Sequence, residues 1–429
     1  MYFLNVGLNK LFLYSKHYLC WTNSKMRQQR YKIFNDPVYG FVSVPYGILL
    51  DLVDHRYFQR LRRIRQVGLS PYVYPGALHT RFHHALGALH LMQAAIEVLR
   101  NKGVEITEEE AEAVCIAILL HDVGHGPFSH ALEHTIVDLH HEELSLSIMK
   151  ALNVEFSGKL ELAIRIFTKQ HPKPFLQQLI SGQLDMDRLD YLNRDSFFTG
   201  VSEGVIGYDR IIKMLVVHDG HLMVEEKGIY SLEKFLIARR LMYWQVYLHK
   251  TGVAAEQMLI HALQRARELA LSGVELEAPR DLRWFLYRKP GEQTEPEPEL
   301  HHYLRLDDTD ITISIKYWAD ADDFVLAYLS RGLLERRLFR LEWHKQPINP
   351  EYVETLAQDI QQRFGADVPL SYLLYTGSAS VQAYDEAKDP IYILFKDNSV
   401  KPLSACSDVP LHTQLVTKHF VCYPKPPVL

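Results

Sequence analysis

Residues 113–130, AVCIAILLHDVGHGPFSH, decide the fold, because eight consecutive apolar residues lead directly into a His-Asp pair. A capping box, Thr107-x-x-Glu110, precedes this run, so the sequence predicts a helix that is apolar all round and therefore buried. His121 and Asp122 fall at the end of that helix, where an ionisable pair is costly unless another charge compensates it. A divalent cation would do so, and imidazole with carboxylate suits Fe, Mn, Zn or Ni better than Ca.

Further ligands for a cation lie on both sides of this stretch. Upstream, residues 81–90 read RFHHALGALH in the first turns of a predicted helix, where His84 or His83 can supply a nitrogen. Downstream, residues 185–195 read DMDRLDYLNRD and crowd Asp185, Asp187 and Asp190 together. Like charges at this spacing on one helix face are more comfortable beside a cation. Alternatively, these charged residues form ion pairs on an exposed helix face.

Histidines and arginines surround the predicted metal site. His125, His130 and His141 lie close to the His-Asp pair in sequence, and neutral imidazoles near pH 7 suit acid–base hydrolysis. Each could instead cap a helix or bind a backbone carbonyl. Arg81 and Arg188 adjoin the candidate ligands, and guanidinium groups bind phosphate oxygens in a bidentate fork. The pattern therefore indicates an anionic substrate, most simply a phosphate ester or polyphosphate.

Composition excludes several function classes. The 429 residues are 47% hydrophobic and carry a formal net charge of −5, whereas a dedicated nucleic-acid-binding surface would be strongly basic. The four cysteines are scattered without a CxxC pair, so neither a zinc ribbon nor a disulfide framework is expected, and a reducing cytoplasm fits best. No uninterrupted apolar run is long enough to span a bilayer, so we expect no membrane partner.

The chain is predicted to be mainly α-helical, with three parts. Residues 1–25 are expected to form a poorly ordered extension, with ordered structure beginning near Met26. Residues 26–285 read as a helix-dominated catalytic domain. Residues 286–429 open with a polar, Pro-rich segment and read as a mixed α+β appendage.

Hydrophobic periodicity predicts further elements. One long helix is expected over roughly residues 231–272, and an amphipathic helix over residues 351–364, EYVETLAQDIQQRF. A short β-like piece is expected over residues 215–225. The runs ITISIKYW, residues 311–318, and PIYILF, residues 390–395, read as strands.

Six strings together carry a resemblance to a known family. They are KIFNDPVYG (32–40), FQRLRRIRQVG (58–68), YVYPGALHTRFHHALG (72–87), LLHDVGHGPFSH (119–130), DMDRLDYLNRD (185–195) and YLHK (247–250). The chain resembles the HD phosphohydrolase superfamily, whose signature is His…His-Asp…Asp. Within it, the match is closest to the SAM-and-HD-domain deoxynucleoside triphosphate triphosphohydrolases and their bacterial relatives. We recognise no SAM domain in these 429 residues.

The resemblance implies roles for individual positions in an HD-type all-helical domain. The implied metal ligands are His84, His121, Asp122 and Asp187. The implied catalytic residues are His125, His130, Glu133 and His141. The implied substrate-binding residues are Gln66, Val67, Arg81, Arg188, Tyr191, Asp195, Arg239 and Tyr247. The implied regulatory nucleotide site comprises Lys32, Asn35, Asp54, Arg62, Arg210, Lys227 and Lys250.

Four positions depart from the vertebrate pattern. Arg188 replaces a Lys, Glu133 an Asp and His83 a Glu, and Glu225 stands where the relatives have a basic residue. The departure at position 188 affects the geometry of phosphate binding, and the departure at position 225 affects regulation by a nucleotide.

The implied reaction is hydrolysis of a deoxynucleoside triphosphate to deoxynucleoside and triphosphate. One divalent transition metal is expected, and Mg²⁺ can accompany the nucleotide. A cytoplasmic homo-oligomer, either a dimer or a tetramer, is expected, with a nucleotide as substrate and nucleic acid as the weaker partner. The alternatives are another HD phosphomonoesterase or phosphodiesterase, such as a 5′-nucleotidase or a signalling-nucleotide hydrolase, and a nucleotide sensor with reduced catalysis.

Overall fold

The structure is a computed structural model that describes residues 30–128, 135, 140–289, 296–411 and 414–426. The first helices are α1 Ile48–Asp54, α2 Arg56–Gln59, α3 Arg81–Asn101, α4 Glu108–Leu120, α5 His141–Glu155, α6 Glu161–Phe167, α7 Pro174–Gln178 and α8 Met186–Thr199. They are followed by α9 Tyr208–Met214, α10 Ile229–Met242, α11 Lys250–Leu271, α12 Arg280–Tyr287, α13 Pro296–Tyr303, α14 Asp308–Trp318, α15 Phe324–Leu334 and α16 Pro350–Phe364. Helices therefore dominate, and the predicted fold class is confirmed.

Nine strands form small sheets around the helices in the described ranges. They are β1 Tyr31–Asp36, β2 Gly40–Pro45, β3 Leu215–His218, β4 His221–Glu225, β5 Arg340–His344, β6 Tyr375–Val381, β7 Tyr392–Leu394, β8 Val400–Pro402 and β9 Val416–Tyr423. The strand orders are β1-β2, β3-β4-β7-β8 and β5-β9-β6. Because β7 pairs in parallel with β4, the C-terminal region (residues 296–426) packs back against the helical part of the chain that precedes it.

A local sequence signal explains where the central helix α4 begins. The hydroxyl of Thr107 accepts the backbone N–H of Glu110 at 3.1 Å, and the Glu110 carboxylate accepts the backbone N–H of Thr107 at 2.9 Å. This capping box satisfies two N–H groups that the first turn would otherwise leave unpaired. From Ala113 to Leu120 every side chain of α4 is buried, as the apolar run predicts.

Two hydrophobic clusters form the core. The first packs α3, α4, α5, α6 and α8 together, and the second contains the buried faces of α12, α14, α15 and β9. Helix α11 contributes Val253, Met258 and Leu263 to the second cluster. The domain boundary near residue 286 stays a prediction, and the packing of α11 ties the chain before it to the C-terminal region. Residues 1–25 and Met26 lie outside the described residues.

Two predicted elements are wrong in detail. Residues 311–318 were expected to be a strand but belong to α14, because the Asp307 side chain caps the helix and Ile311, Ile315 and Trp318 are buried at helical spacing. The single helix expected over residues 231–272 is interrupted by a π-helical turn at Tyr243–Tyr247, and His249 caps a new helix by accepting the N–H of Thr251. The long apolar periodicity continues across this break and conceals it.

None of the described helices combines the length and the apolarity that crossing a bilayer requires.

One half-buried histidine, whose two ring nitrogens are both buried, predicts an acid-sensitive fold. His261 of α11 packs edge-on against Tyr375, with 4.0 Å between ring centroids, and neither ring nitrogen has a hydrogen-bond partner among the described residues. Burial lowers the pKa of His261 to about 4. Because this pKa is lower in the folded than in the unfolded chain, protonation favours unfolding, and stability is lost as pH falls from 6.5 toward 4.

We expect His261→Phe to reduce the acid-induced loss of stability by about 2 kcal/mol at pH 4.5, because Phe keeps the packing and cannot be protonated. Urea unfolding at pH 7.5 and 4.5 measures this change. His301→Gln, at an exposed histidine, should leave the pH dependence as it is. Equal pH dependence in His261→Phe and the unaltered protein would contradict the prediction.

Candidate metal centre and substrate cavity

The four predicted metal ligands lie together where α3, α4 and α8 meet. His84 Nε2 is 3.0 Å from Asp187 Oδ1 and 3.7 Å from Asp122 Oδ2. His121 Nε2 is 3.4 Å from Asp187 Oδ1 and 3.4 Å from Asp122 Oδ1. Ligand atoms of His84, His121 and Asp122 all lie within 4.8 Å of one another. Three separate parts of the chain therefore present two imidazoles and two carboxylates to one point.

The orientation of the two imidazoles suits a metal ion. His121 Nδ1 lies 2.6 Å from the backbone oxygen of Ile118, and His84 Nδ1 lies 2.7 Å from Asp190 Oδ2. Because a carbonyl and a carboxylate only accept hydrogen bonds, both Nδ1 atoms carry a proton, so the neutral form of each imidazole presents its lone pair at Nε2. Within the described part of the chain, these two buried Nε2 atoms form no hydrogen bond. The donor set therefore fits a divalent transition metal.

Electrostatics supports the same interpretation. Burial lowers the pKa of His84, but the carboxylates of Asp187 and Asp190 outweigh it and raise the pKa to about 10. At His121, burial likewise lowers the pKa, but the charges of Asp122 and Asp187 outweigh this effect and raise the pKa to about 9. The imidazoles in turn lower the pKa of Asp187 against the effect of burial. When no cation is bound, protons on the two imidazoles balance the charge of the carboxylates, and a metal ion must displace these protons in order to bind.

A second layer of buried charges holds the ligands in place. The Asp190 carboxylate that orients His84 accepts two hydrogen bonds from the Arg194 guanidinium, both at 3.0 Å. Arg194 also donates to Asp36 Oδ2 at 2.7 Å. Gly87 makes room for this network, because a Cβ there would lie 2.0 Å from Asp190 Oδ1. The close approach of α3 and α8 therefore requires glycine at this position.

The turn after α4 is fixed by its contacts with α5. The Ser145 hydroxyl donates to the backbone oxygen of His121 at 2.7 Å and accepts the N–H of Gly124 at 2.9 Å. A Cβ on Gly124 would lie 2.3 Å from the backbone oxygen of His141, so glycine is needed here too. This approach brings His141, the first residue of α5, beside the cluster of predicted metal ligands.

Two of the four predicted catalytic residues lie within the described part of the structure. His125 and His141 stack with ring centroids 3.9 Å apart, and His125 Nε2 is 3.4 Å from Asp122 Oδ1. Burial and the positive charge of Arg81 lower the pKa of His125 well below its usual value, so this imidazole is neutral. His130 and Glu133 lie outside the described residues.

Other polar residues near the motif have structural roles. His83 does not join the cluster, because its Nδ1 lies 2.9 Å from the Thr80 hydroxyl and caps α3. Asp185 caps α8 and accepts the backbone N–H of Arg188 at 2.7 Å. Of the crowded aspartates, Asp187 therefore faces the metal cluster and Asp190 stands behind it.

A cavity of about 530 Å³ adjoins the cluster and is large enough for a small organic ligand. Of the eight predicted substrate-binding residues, seven line it: Gln66, Val67, Arg81, Arg188, Tyr191, Asp195 and Tyr247. Arg239 is not among the lining residues, since it is buried and donates to Gln183 Oε1 at 2.9 Å. Asp122, Asp187, His125 and His141 line the same cavity, so the metal cluster opens into it.

One side of the cavity is a fixed hydrogen-bonded unit that the sequence did not reveal. The Tyr247 hydroxyl donates to Asp195 Oδ2 at 2.7 Å, and His79 Nε2 lies 2.7 Å from Asp195 Oδ1. His79 is fully buried and stacks on Phe198 with ring centroids 4.5 Å apart. His79 comes just before the RFHH motif, but nothing in its local sequence distinguishes it from a surface histidine.

The predicted regulatory residues are spread over several elements. Lys32 and Asn35 lie on β1, Asp54 ends α1, and Arg62 sits in a short 3₁₀ turn with its guanidinium 3.6 Å from the centre of the Phe82 ring. Arg210 of α9 donates to the backbone oxygen of Lys227 at 3.0 Å, Lys250 begins α11, and Glu225 pairs with Lys102 at 2.6 Å. A regulatory site built from these residues stays a prediction.

Comparison with known proteins places this geometry in a family. The HD domain matches residues 81–195, and an HD associated region matches residues 206–281. The first match begins at Arg81 and ends at Asp195, so it contains all four candidate ligands.

Similar proteins cover most of the chain. An uncharacterized protein of Bacillus subtilis strain 168, YwfO, is 32% identical over 425 residues, which are 95% of each chain. The deoxynucleoside triphosphate triphosphohydrolase SAMHD1 homolog of Dictyostelium discoideum is 33% identical over 69% of this chain, which spans 62% of that protein's length. The crystal structure of a phosphohydrolase from Bacteroides thetaiotaomicron superposes with a TM-score of 0.88 at 51% identity, covering 92% of this chain and 100% of the other.

We expect His121→Ala to lose most of the bound divalent metal, because it removes one of two imidazole ligands and leaves buried carboxylates poorly compensated. Elemental analysis of the purified protein by mass spectrometry measures the metal content per chain. His90→Ala is the control, since His90 lies on α3, as the predicted ligand His84 does, but stacks on Tyr39 outside the cluster. A His121→Ala protein that retains the metal content of the unaltered protein would refute the assigned ligand set.

Proposed function

The chain belongs to the HD phosphohydrolases, and from this premise we propose that it hydrolyses deoxynucleoside triphosphates to deoxynucleoside and triphosphate. One observation carries the proposal: a single cavity is lined by two of the predicted metal ligands, Asp122 and Asp187, by two arginines and by the Tyr247–Asp195 pair. The metal ligands would hold a cation at the reacting phosphoryl group, the arginines would bind the polyphosphate chain, and the Tyr247–Asp195 pair would contact the sugar. The named activity of the Dictyostelium relative supports the same substrate class.

The predicted metal site consists of His84, His121, Asp122 and Asp187, and the metal would be Fe, Mn, Zn or Ni. When bound, such a cation supplies Lewis-acid chemistry, polarising a phosphoryl oxygen and activating water. The protein's part is to hold the ligands in fixed orientation, which Asp190 does for His84 and the Ile118 carbonyl does for His121.

The arginines bind the triphosphate. Arg81 forms an ion pair with Asp122 at the edge of the cluster, and Arg188 donates its Nε–H to the backbone oxygen of Gly182 at 2.6 Å. The nearby carboxylate of Asp185 raises the pKa of Arg188 against burial, so its guanidinium keeps its charge. Two fixed positive charges stabilise the negative charge that shifts toward the leaving oxygen.

A histidine supplies the proton for the departing 5′-oxygen. The stacked pair of His125 and His141 faces the cavity, and His125 is held neutral. One of His130 and His141 acts as the acid, and we favour His130 partnered by Glu133.

The hydrogen-bonded unit beside the cavity selects the sugar. Tyr247 cannot turn away from the substrate without losing its hydrogen bond to Asp195, and His79 fixes Asp195 from behind. A rigid, bulky wall next to the sugar leaves no room for a 2′-hydroxyl. To admit a 2′-hydroxyl, Tyr247 would have to move and break its hydrogen bond to the buried Asp195 carboxylate. Because a buried polar group that loses its partner costs free energy, the unit stays in place and favours deoxynucleotides.

The proposed function includes the predicted assembly and regulation. We expect a cytoplasmic homo-oligomer, a dimer or a tetramer, with the predicted regulatory residues forming a second nucleotide site. Turnover of one deoxynucleotide that does not respond to a second one would count against regulation.

The proposal predicts the product. Purified, metal-analysed protein incubated with a panel of deoxynucleoside and ribonucleoside triphosphates should release triphosphate and deoxynucleoside, with ribonucleotides hydrolysed at least about tenfold more slowly. Ion-exchange chromatography separates triphosphate from orthophosphate and diphosphate. Asp122→Ala controls for contaminating phosphatases and should be inactive.

Other products would replace the proposal. Orthophosphate as the first product indicates a phosphomonoesterase such as a 5′-nucleotidase. Tight nucleotide binding without turnover indicates a sensor.

A further inference from the structure

Part of the cavity lining is not accounted for by the metal, phosphate and sugar groups. This part comprises Leu248, just before α11, Gly252 and Glu256 in α11, and residues 379–381 in β6. Gly252 and Glu256 are one helical turn apart and therefore share a face of α11. This face runs onward from Tyr247, which closes the sugar side. The base of a bound nucleotide leaves the sugar on the side opposite the triphosphate, and it must be accommodated by this wall.

Gly252 leaves space in this wall. No described atom lies within 4 Å of a Cβ built on Gly252, and its backbone is helical, without a positive φ. Neither packing nor backbone conformation therefore requires glycine here, although glycine is less favourable than alanine inside a helix. Gly87 is the opposite case, because a Cβ there would collide with Asp190. What glycine provides at position 252 is room inside the cavity.

The C-terminal region also contributes to the cavity lining. Strand β6 is the edge of the sheet ordered β5-β9-β6, and its last three residues, Ala379, Ser380 and Val381, have small or medium side chains. The Ser380 hydroxyl lies 2.7 Å from the Thr417 hydroxyl on β9, so it is already engaged within the sheet. This part of β6 therefore contributes small or medium side chains to the cavity lining, and that of Ser380 is already hydrogen-bonded within the sheet.

We propose that Gly252 and residues 379–381 form the base-binding wall, and that the missing side chain at position 252 sets the size of the base that the cavity admits. This inference rests on the proposed function, since it assigns the same cavity to a nucleotide. A two-ring purine uses the space that Gly252 leaves, whereas a one-ring pyrimidine needs less of it. The C-terminal region thus contributes to substrate selection.

The test compares Gly252→Leu with Gly252→Ala. Hydrolysis and equilibrium binding are both measured for dATP, dGTP, dCTP and dTTP, and for deoxyribose 5′-triphosphate, which has no base. We expect Gly252→Leu to lower kcat/KM for the purines at least about tenfold relative to the pyrimidines, mainly through KM, because a side chain occupying a pocket excludes a larger ligand by steric contact. The base-free substrate should be hydrolysed at an unchanged rate, and Gly252→Ala should have a smaller effect in the same direction.

Two further variants make the result decisive. Ala379→Leu narrows the same space from β6 and should shift selectivity in the same direction. Gly207→Leu is the matched control, because Gly207 also has a negative φ, −84°, and no described atom within 4 Å of a Cβ placed on it, but lies outside the cavity. It should leave the purine-to-pyrimidine ratio unchanged.

The outcomes separate this inference from the proposed function. If Gly252→Leu affects purines and pyrimidines equally, or changes neither, the base-size role is wrong while hydrolysis stands. If the unaltered protein binds nucleotides without hydrolysing them, the proposed function fails, and the ratio of purine to pyrimidine Kd in Gly252→Leu still decides the role of Gly252. If no nucleotide binds, both are overturned.

Discussion

The convergence of two imidazoles and two carboxylates at one largely buried point is the constraint on which the structure depends. Isolated charges at this depth would be expensive, so each ligand is oriented or compensated by another buried group. Asp190 and Arg194 secure His84, and the carbonyl of Ile118 orients His121. The packing follows from this need, because Gly87 permits the approach of α3 and α8 that brings His84 and Asp187 together.

The same centre is connected to parts of the chain that are distant in sequence. Arg60 is buried and donates to the backbone oxygens of Val123 and His125, in the turn after α4, and to that of Leu306, in the C-terminal region. Asp308 accepts the N–H of Phe128 at 2.8 Å from the other side. The turn that carries the His-Asp pair is therefore held by residues that come nearly two hundred positions later. The C-terminal region is part of the support and the wall of the site.

Sequence reasoning predicted what local patterns encode. The capping box at Thr107, the buried run of α4, the hairpin ending at Glu225 and the helical class are all present in the structure. It missed His79 and residues 379–381, because their roles arise from contacts between distant parts of the chain that leave no periodicity. It also took residues 311–318 for a strand, since β-branched residues outweighed the capping signal of Asp307.

The central claim is that one cation is held jointly by His84, His121, Asp122 and Asp187. Anomalous diffraction from crystals of the metal-loaded protein, recorded above and below the absorption edge of the metal found by elemental analysis, tests it most directly. The account predicts one strong peak, about 2.0–2.3 Å from both Nε2 atoms and from an oxygen of each carboxylate. A peak bound by other residues, or one that leaves Asp187 outside the coordination sphere, would contradict it.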